Sequence, residues 1–202
     1  MAEHETPYFM SISMPLNSSR EAPSAYFCRY HSPLGEITLA ADEHYLTGLW
    51  FVGQKYYAAN HALPCVAEHG LPVFTQIRDW LDAYFSGLAP LPNDLPLQPR
   101  GSEFRLAVWR RLCQIPYGEC VTYGTVARDV ATVMGKPGMS AQATGGAVGH
   151  NPISLIIPCH RVIGSNNSLT GYAGGIARKI QLLKLEGIDI TSLTVPARGT
   201  AL

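Results

Sequence analysis

The fold of the second half of the chain is decided by residues 122–149, which read TYGTVARDVATVMGKPGMSAQATGGAVG. Thr122 can cap a helix that runs to about Met134, because apolar residues follow it at helical spacing. A turn with glycine and proline comes next, and Ser140 can cap a further helix over 141–149. Two helices joined in this way form a helix-turn-helix, with which many proteins bind DNA, although enzymes also contain such helical hairpins.

The second of these helices carries very little side-chain bulk. Six of its nine residues are alanine or glycine, namely Ala141, Ala143, Gly145, Gly146, Ala147 and Gly149. Each glycine costs about 1 kcal/mol relative to alanine inside a helix, so the composition indicates a neighbour that comes very close. That neighbour is either a tightly packed helix or the backbone of a nucleic acid.

The first half has the pattern of a small domain that combines strands with a helix. Apolar residues between Phe74 and Phe85 recur at helical spacing, which predicts a helix that ends at Ser86-Gly87. Three short apolar runs separated by turns predict an antiparallel meander over residues 26–30, 36–41 and 46–52.

Together these patterns predict an α+β fold with two domains. Four prolines between residues 89 and 100 indicate an extended linker, after which Ser102 can cap a helix that continues to about Ile115. The predicted organisation is a tail at 1–23, an N-terminal α/β domain with a small antiparallel sheet at 24–99, a mainly helical domain with a winged-helix-like helix-turn-helix at 100–190, and a tail at 191–202.

Composition excludes several classes of protein. With 47% hydrophobic and 15% charged residues over 202 positions, the chain can bury a core and is neither a disordered nor a membrane-spanning sequence. The first twenty residues lack the basic and apolar regions of a secretory signal. The five cysteines are scattered without a C-x-x-C pair, which favours reduced thiols. We therefore expect a cytoplasmic protein that is not attached to a membrane.

The net charge of zero hides an uneven distribution of charged residues. Residues 1–99 hold four basic and ten acidic side chains, whereas residues 100–187 hold ten basic and four acidic ones. This asymmetry indicates that the basic half meets a polyanion. Ordinary solvated helix faces would produce the same count, so charge alone leaves both interpretations open.

A candidate nucleophile follows the helix-turn-helix. The apolar run 153–157 predicts a short buried strand that ends at Pro158, so that Cys159 follows directly after the end of the strand. Most buried cysteines are inert, but His160 stands directly beside this one. Neighbouring residues rarely point the same way, so we expect a water molecule to join the thiol and the imidazole.

The motifs around Cys159 resemble those of the O6-alkylguanine-DNA alkyltransferase family. The resemblance covers residues 102–187 and is looser in the first half, where SPLG at 32–35 carries it. Several motifs occur in the family's order, namely IPYGE at 115–119, NP at 151–152, PCHRV at 158–162, GYAGG at 171–175 and LLKLEG at 182–187.

This resemblance implies direct-reversal DNA repair. A member of the family flips an O6-alkylated guanine out of double-stranded DNA and transfers the alkyl group irreversibly to its own cysteine, here Cys159. The implied enzyme is a methylated-DNA–protein-cysteine S-methyltransferase that turns over once and inactivates itself. The resemblance also implies a monomer that reaches the base through the minor groove and needs neither a metal nor a cofactor.

The roles of the family's residues carry over onto the matching positions. His160, oriented by Glu186, would accept the proton of Cys159 through water, and Asn151 would brace the turn before the cysteine. Tyr123 would donate a hydrogen bond to N3 of the flipped base. The main-chain carbonyls of Cys159 and Val162 would hold the exocyclic amine of that base. The base pocket would be formed by Val148, Val162, Tyr172, Ala173 and Gly174.

The DNA-contacting face departs from the family pattern. Gln142 stands where the family commonly has the arginine that fills the gap left by the flipped base, and Gly149 has no side chain to reach a phosphate. Glutamine can still hydrogen-bond but has no charge, so we expect base extrusion to persist with a changed gap-filling step. The remaining DNA contacts are expected from helix N-termini and from Arg128, Lys136, Ala143 and Arg161.

Three other interpretations remain open on the sequence. A DNA-binding regulator or damage sensor would explain the helix-turn-helix but would not need Cys159. A cysteine hydrolase would explain the nucleophile, but a histidine next to it in the chain does not suit a direct Cys-His pair. A zinc module using Cys28, His31 and Cys65 lacks the usual spacing of metal ligands.

Overall fold

The computed structural model describes residues 26–58, 66–67, 70–92 and 95–195. The predicted tail at 1–23 lies outside the described residues, as do residues 196–202 of the second predicted tail. The fold is α+β, as predicted, with a sheet and one helix in the first half followed by a mainly helical second half.

The sheet of the first half confirms the predicted meander. Strands β1 (Tyr26–Ser32), β2 (Gly35–Ala41) and β3 (Leu46–Phe51) pair antiparallel in chain order. A two-residue strand that the sequence did not indicate, β4 (Val66–Ala67), adds to the outer side of β1 in parallel. The order across the sheet is therefore β3-β2-β1-β4, and β3 is left as an edge.

One helix, α1 (Pro72–Phe85), contributes to the core of the first half. Proline suits its first turn, since the missing N–H has no partner there in any helix. Phe74, Ile77 and Leu81 on its apolar face are fully buried. The helix ends at Ser86, as predicted.

The second half contains four α-helices, and the first three begin where their predicted caps place them. The four helices are α2 (Glu103–Cys113), α3 (Tyr123–Val133), α4 (Ala141–Gly149) and α5 (Ile176–Leu185). Ser102, Thr122 and Ser140 each accept a hydrogen bond from the amide three residues ahead, which confirms the three N-caps. Helix α2 ends two residues earlier than the predicted Ile115. Within the described ranges, no helix is long and apolar enough to span a bilayer.

The apolar run 153–157 is not a strand, so that prediction was wrong. Ile153 pairs with Leu49 of β3 through an isolated bridge, and the chain then turns. Leu155 has a φ of 68°, in the left-handed region that a strand does not use. The run is apolar because all of its residues are buried, and composition alone does not separate a short buried strand from a buried bend.

The two halves share one hydrophobic core, to which Phe51 of the first half and Trp109 of the second half both belong. The main chain also crosses between the halves. The amide of Leu49 donates to the carbonyl of Pro152 (2.8 Å), and the amide of Ser154 donates to the carbonyl of Leu49 (2.9 Å). The edge of β3 therefore supports the segment that leads to Cys159.

Candidate active site

Cys159 begins a single 3-10 turn, Cys159–Arg161, which connects the bend at 154–157 to the short strand β6 (Val162–Ile163). Strand β6 pairs in parallel with β5 (Val121–Thr122), so the turn is anchored at the start of α3. Every residue from 151 to 160 is buried, which gives the thiol a fixed packing environment.

Asn151 holds the bend and the thiol together. Its Nδ2 donates to the carbonyl of Ile157 (2.8 Å) and to Sγ of Cys159 (3.1 Å). Its Oδ1 accepts a hydrogen bond from the amide of Ile153 (3.0 Å). One buried side chain thus closes the turn after α4 and sets the position of the sulfur.

Burial is the main influence on the Cys159 thiol and raises its pKa above the ordinary value. The hydrogen bond from Asn151 and the positive charge of Lys179 both favour the thiolate and act against burial. The free protein therefore holds Cys159 as a thiol, next to groups that stabilise the thiolate once its proton is removed.

A buried carboxylate organises the side of the site next to His160. Oε1 of Glu186, the residue that caps α5, lies 2.7 Å from Nε2 of His160. Arg161 donates to both carboxylate oxygens, from Nε to Oε2 at 2.8 Å and from Nη2 to Oε1 at 2.9 Å. The amide of Gly118 completes the cluster at 3.3 Å from Oε2.

These contacts determine the charges of the pair. Burial alone would raise the pKa of Glu186, but its bonds to His160 and Arg161 outweigh burial and hold that pKa at about 2. Burial lowers the pKa of His160, and Glu186 compensates only in part, so the imidazole is neutral. Because Nε2 faces a carboxylate it carries the proton, which leaves the lone pair on Nδ1. Nδ1 is buried and has no hydrogen-bond partner among the described residues.

Tyr84 also belongs to this cluster, and the sequence analysis missed it. Its hydroxyl donates to Oε1 of Glu186 at 2.7 Å, although Tyr84 stands in α1 and precedes Glu186 by 102 residues. In the sequence it is one apolar-face residue of an amphipathic helix, so no local pattern distinguishes it from a core aromatic residue.

Tyr123 begins α3 and turns its hydroxyl toward the loop after β6. The hydroxyl donates to the carbonyl of Gly171 at 2.8 Å. Gly171 has a φ of 63°, and a Cβ at this position would collide with the Tyr123 hydroxyl. Glycine is therefore required for the loop to pass so close to the tyrosine.

The predicted pocket residues lie around this loop. Val148 of α4 and Val162 of β6 are buried, as is Tyr172. Tyr172 has a buried hydroxyl without a hydrogen-bond partner in the described part of the chain. Gly174 lies against the Tyr172 ring so closely that a Cβ would not fit. Ala173 is half-buried, and its carbonyl accepts a hydrogen bond from the amide of Lys55 at 2.9 Å.

Lys179 is a second buried residue that the sequence analysis missed. It is fully buried in α5, and its Nζ donates to the carbonyl of Val162 at 2.5 Å and to that of Thr170 at 2.7 Å. Burial lowers its pKa to about 8. The amine ties β6 to the pocket loop and brings positive charge near Cys159.

Helix α4 has one buried face and one exposed face. Its buried face packs on α2, where Nε1 of Trp109 donates to the carbonyl of Ala147 at 2.9 Å. Its other face leaves Gln142, Ala143 and Gly146 exposed. Tight helix packing therefore explains only part of the small-residue composition, and a bare outer face remains.

A cleft of about 490 Å³ lies between α3 and the start of α4. Arg128 and Lys136, two of the predicted DNA-contacting residues, line it, and both are exposed. The cleft also reaches Ala141, the first residue of α4, where the helix presents unpaired main-chain amides. This face therefore combines two cations with the positive end of a helix.

Arg161 does not join that exposed face, contrary to what the sequence analysis expected. In addition to its two bonds with Glu186, it donates from Nη1 to the carbonyl of Ile115 at 2.7 Å. Its side chain is only 11% exposed, because these inward partners hold the guanidinium against the buried carboxylate. A phosphate contact does not fit this geometry.

Cys65, one of the three residues of the zinc hypothesis, lies outside the described residues. Among them, no group of three His, Cys, Asp or Glu side chains is arranged to hold a metal ion. Cys28 is a free, buried thiol in β1.

Comparisons with known families match both halves of the chain. Residues 26–99 match the family described as 6-O-methylguanine DNA methyltransferase, ribonuclease-like domain. Residues 103–188 match the family described as 6-O-methylguanine DNA methyltransferase, DNA binding domain. The two matches cover the α/β half and the helical half.

Individual relatives agree with these matches. The methylated-DNA–protein-cysteine methyltransferase of Haemophilus influenzae is 40% identical over 163 residues, which cover 81% of this chain and 87% of the relative. The protein of the same name from Mycobacterium tuberculosis is 44% identical over 158 residues, covering 77% and 88% of the two chains.

Solved structures show the same architecture. The crystal structure of Mycobacterium tuberculosis O6-methylguanine methyltransferase has a TM-score of 0.67 and 41% identity, covering 86% of this chain and 96% of that one. Mycobacterium tuberculosis OGT in complex with DNA has a TM-score of 0.68 at 41% identity, covering 85% and 96%. Since both halves match in sequence and in structure, the chain belongs to the 6-O-methylguanine DNA methyltransferase family.

Proposed function

We propose that this chain repairs double-stranded DNA by moving the alkyl group of an O6-alkylguanine onto Cys159, once per molecule and irreversibly. The observation that carries the assignment is a buried thiol, hydrogen-bonded to Asn151, that immediately precedes in the chain the histidine paired with Glu186. Family membership supplies the reaction class, DNA repair by alkyl transfer to a cysteine.

The chemistry requires that the thiol lose its proton before it attacks. Nδ1 of the neutral His160 is the acceptor, and a bridging water carries the proton to it. Glu186 stabilises the imidazolium that forms, while Asn151 and Lys179 stabilise the thiolate. The thiol is therefore activated at the moment of reaction and is not permanently ionised.

The sulfur then attacks the saturated carbon attached to O6. A carbon–sulfur bond forms as the carbon–oxygen bond breaks, and the electron pair of that bond stays with the guanine. Tyr123 donates a hydrogen bond to N3 as negative charge develops on the leaving base. To do so, the Tyr123 hydroxyl gives up its hydrogen bond to the carbonyl of Gly171 and donates to the base instead. The thioether is stable, so each molecule acts once, and the transfer uses no metal or cofactor.

The pocket for the flipped base is formed by Val148, Val162 and the loop Tyr172–Gly174. The carbonyls of Cys159 and Val162 accept from the exocyclic amine, and the amide of Ala173 faces O6. The Val162 carbonyl already accepts from Lys179, but a carbonyl oxygen has a second lone pair for the base.

The chain binds DNA as a monomer. The helix-turn-helix lies along the duplex, and α4 enters the minor groove. Its exposed face is bare apart from Gln142, which lets the helix approach the duplex closely. Arg128 and Lys136 beside the N-terminus of α4 contact phosphates, and Ala143 lies on the same exposed face, although its amide already binds Ser140. The cytoplasm, which keeps thiols reduced, is the compartment that suits a cysteine acceptor.

Intact-mass measurement after mixing the chain with duplex DNA containing O6-methylguanine tests this function. We expect one added methyl group per molecule, on the peptide that contains Cys159. Cys159→Ala should acquire none, and the matched control Cys120→Ala should react like the unaltered chain. Methyl transfer to Cys28 or Cys65, or no transfer by the unaltered chain, would overturn the assignment.

A further inference from the structure

The active site contains a residue from the first half of the chain. Tyr84 is the penultimate residue of α1, and its hydroxyl donates to Oε1 of Glu186 at 2.7 Å. The same oxygen lies 2.7 Å from Nε2 of His160, and the Tyr84 hydroxyl is 3.4 Å from that nitrogen. The tyrosine therefore shares one carboxylate oxygen with the histidine beside Cys159.

Packing holds the Tyr84 ring in this position. The Trp80 ring stacks on it almost in parallel, with centroids 5.3 Å apart, and the Tyr117 and Phe85 rings contact it edge-on at 6.1 Å and 5.4 Å. The side chain is fully buried. A ring confined on several sides keeps its hydroxyl aimed at the carboxylate without losing further rotamer freedom during the reaction.

The hydrogen bond from Tyr84 completes the set of contacts that restrain the Glu186 carboxylate. Arg161 and Gly118 bind mainly from the Oε2 side, whereas Tyr84 and His160 meet at Oε1. With its carboxylate plane restrained, Glu186 accepts the hydrogen bond from the Nε2–H group of His160 in one orientation, which keeps the lone pair of the ring on Nδ1. The orientation of the proton acceptor thus depends on a helix of the first half.

We propose that Tyr84 is a positioning residue for alkyl transfer, by which the N-terminal half orients Glu186 and, through it, His160. This inference rests on the proposed function of Cys159 and His160. It gives the N-terminal half a role in the chemistry in addition to its structural support of the bend through β3.

Loss of the Tyr84 hydroxyl changes the balance of charges at His160. Glu186 would have one donor fewer and more of its negative charge would act on the imidazole, which favours the protonated ring. The charged and titratable groups that face this cluster come from all the elements around it: Tyr84 from α1, Tyr117 from the segment after α2, Cys159 and Arg161 from the 3-10 turn, Tyr172 from the pocket loop, and Lys179 and Glu186 from α5 and its end.

The substitution Tyr84→Phe tests the proposal because it removes a single oxygen and keeps the ring. We expect the rate of single-turnover alkyl transfer to fall by roughly tenfold. This is less than general base catalysis usually contributes, because His160 remains present and only its orientation is loosened. The acid limb of its rate–pH profile should move to higher pH, since His160 then keeps its proton to higher pH. Affinity for duplex DNA, measured by anisotropy, should be unchanged.

Tyr30→Phe is the matched control. The Tyr30 hydroxyl donates to Oδ1 of Asp82 at the same 2.7 Å, also within the first half but outside the cluster around Glu186. This variant should keep the rate and the pH profile of the unaltered chain. If Tyr84→Phe keeps both as well, or if the two variants slow equally with unshifted profiles, the positioning role is refuted.

A second measurement needs no variant. The 15N chemical shifts of the His160 ring in the unaltered chain should report the neutral form with its proton on Nε2. The opposite tautomer would overturn the proposal even if Tyr84→Phe did not fold. Failure of the proposed function is distinguishable, because the unaltered chain would then transfer no methyl group to Cys159.

Discussion

Replacing Glu186 with glutamine keeps the size of the side chain and removes its negative charge. In the structure, that charge is fully buried and is met by His160 at 2.7 Å, by Arg161 at 2.8 Å and 2.9 Å, and by Tyr84 at 2.7 Å. A carboxylate with this many donors is much harder to protonate in the folded chain than in the unfolded one.

The pKa values set the size and the pH range of the effect. The folded-state pKa of Glu186 is about 2, against an ordinary value of 4.5. A difference of this size corresponds to roughly 3 kcal/mol of folding stability. Because the folded pKa is the lower one, this stability is present above about pH 4.5 and is lost as the pH falls toward 2. By pH 3 about 2 kcal/mol of it should be gone.

Urea unfolding at pH 7 and pH 3 measures this contribution. The unfolding free energy of Glu186→Gln should lie below that of the unaltered chain at pH 7, and the gap should narrow by about 2 kcal/mol at pH 3. Asp129→Asn is a control for loss of an arginine–carboxylate pair, because Asp129 binds Arg111 at 2.7 Å on a half-exposed surface. Solvent screens that pair, so its loss should cost less than about 1 kcal/mol at pH 7. A gap for Glu186→Gln that is the same at both pH values would refute the argument.

Three further substitutions test other parts of the site. Asn151→Ala removes an amide that binds both the bend and the Cys159 sulfur. We expect the unfolding free energy in urea to fall by about 2–3 kcal/mol, and alkyl transfer followed by mass spectrometry to slow at least roughly tenfold. An unchanged transfer rate would show that the hydrogen bond to sulfur is not used. Gln142→Arg should tighten duplex binding or speed repair in duplex DNA while the rate with free O6-benzylguanine stays nearly constant, and equal changes on both substrates would contradict a role in base extrusion. Lys179→Met removes a buried amine whose pKa is lowered by burial to about 8 from an ordinary 10.5. Because the unfolded chain keeps that proton to higher pH, the unaltered chain should gain roughly 3 kcal/mol over the variant between about pH 8 and 10.5, and a constant difference in unfolding free energy across this range would disprove it.

Local features of this protein could be predicted from its sequence. Ser102, Thr122 and Ser140 cap the helices that they were expected to cap, since capping joins residues only three positions apart. The helix-turn-helix and the three-stranded meander follow for the same reason, because hydrophobic periodicity and turn residues act within a few positions. The motif PCHRV identified the Cys159 region through family resemblance.

The contacts that make this region a site depend on burial and on residues far apart in the chain, so only the tertiary structure decided them. Tyr84 reaches Glu186 across 102 residues, and Lys179 lies buried although its residue type is usually exposed. Arg161 points inward for a related reason. The buried carboxylate of Glu186 would be costly without partners, and Arg161 supplies two of its hydrogen bonds. The sequence by itself thus determined the capped helices α2, α3 and α4 and the three-stranded meander, because these follow from interactions between near neighbours. Packing decided which polar groups meet around the nucleophile, because a buried charge is stable only where distant parts of the chain bring partners to it.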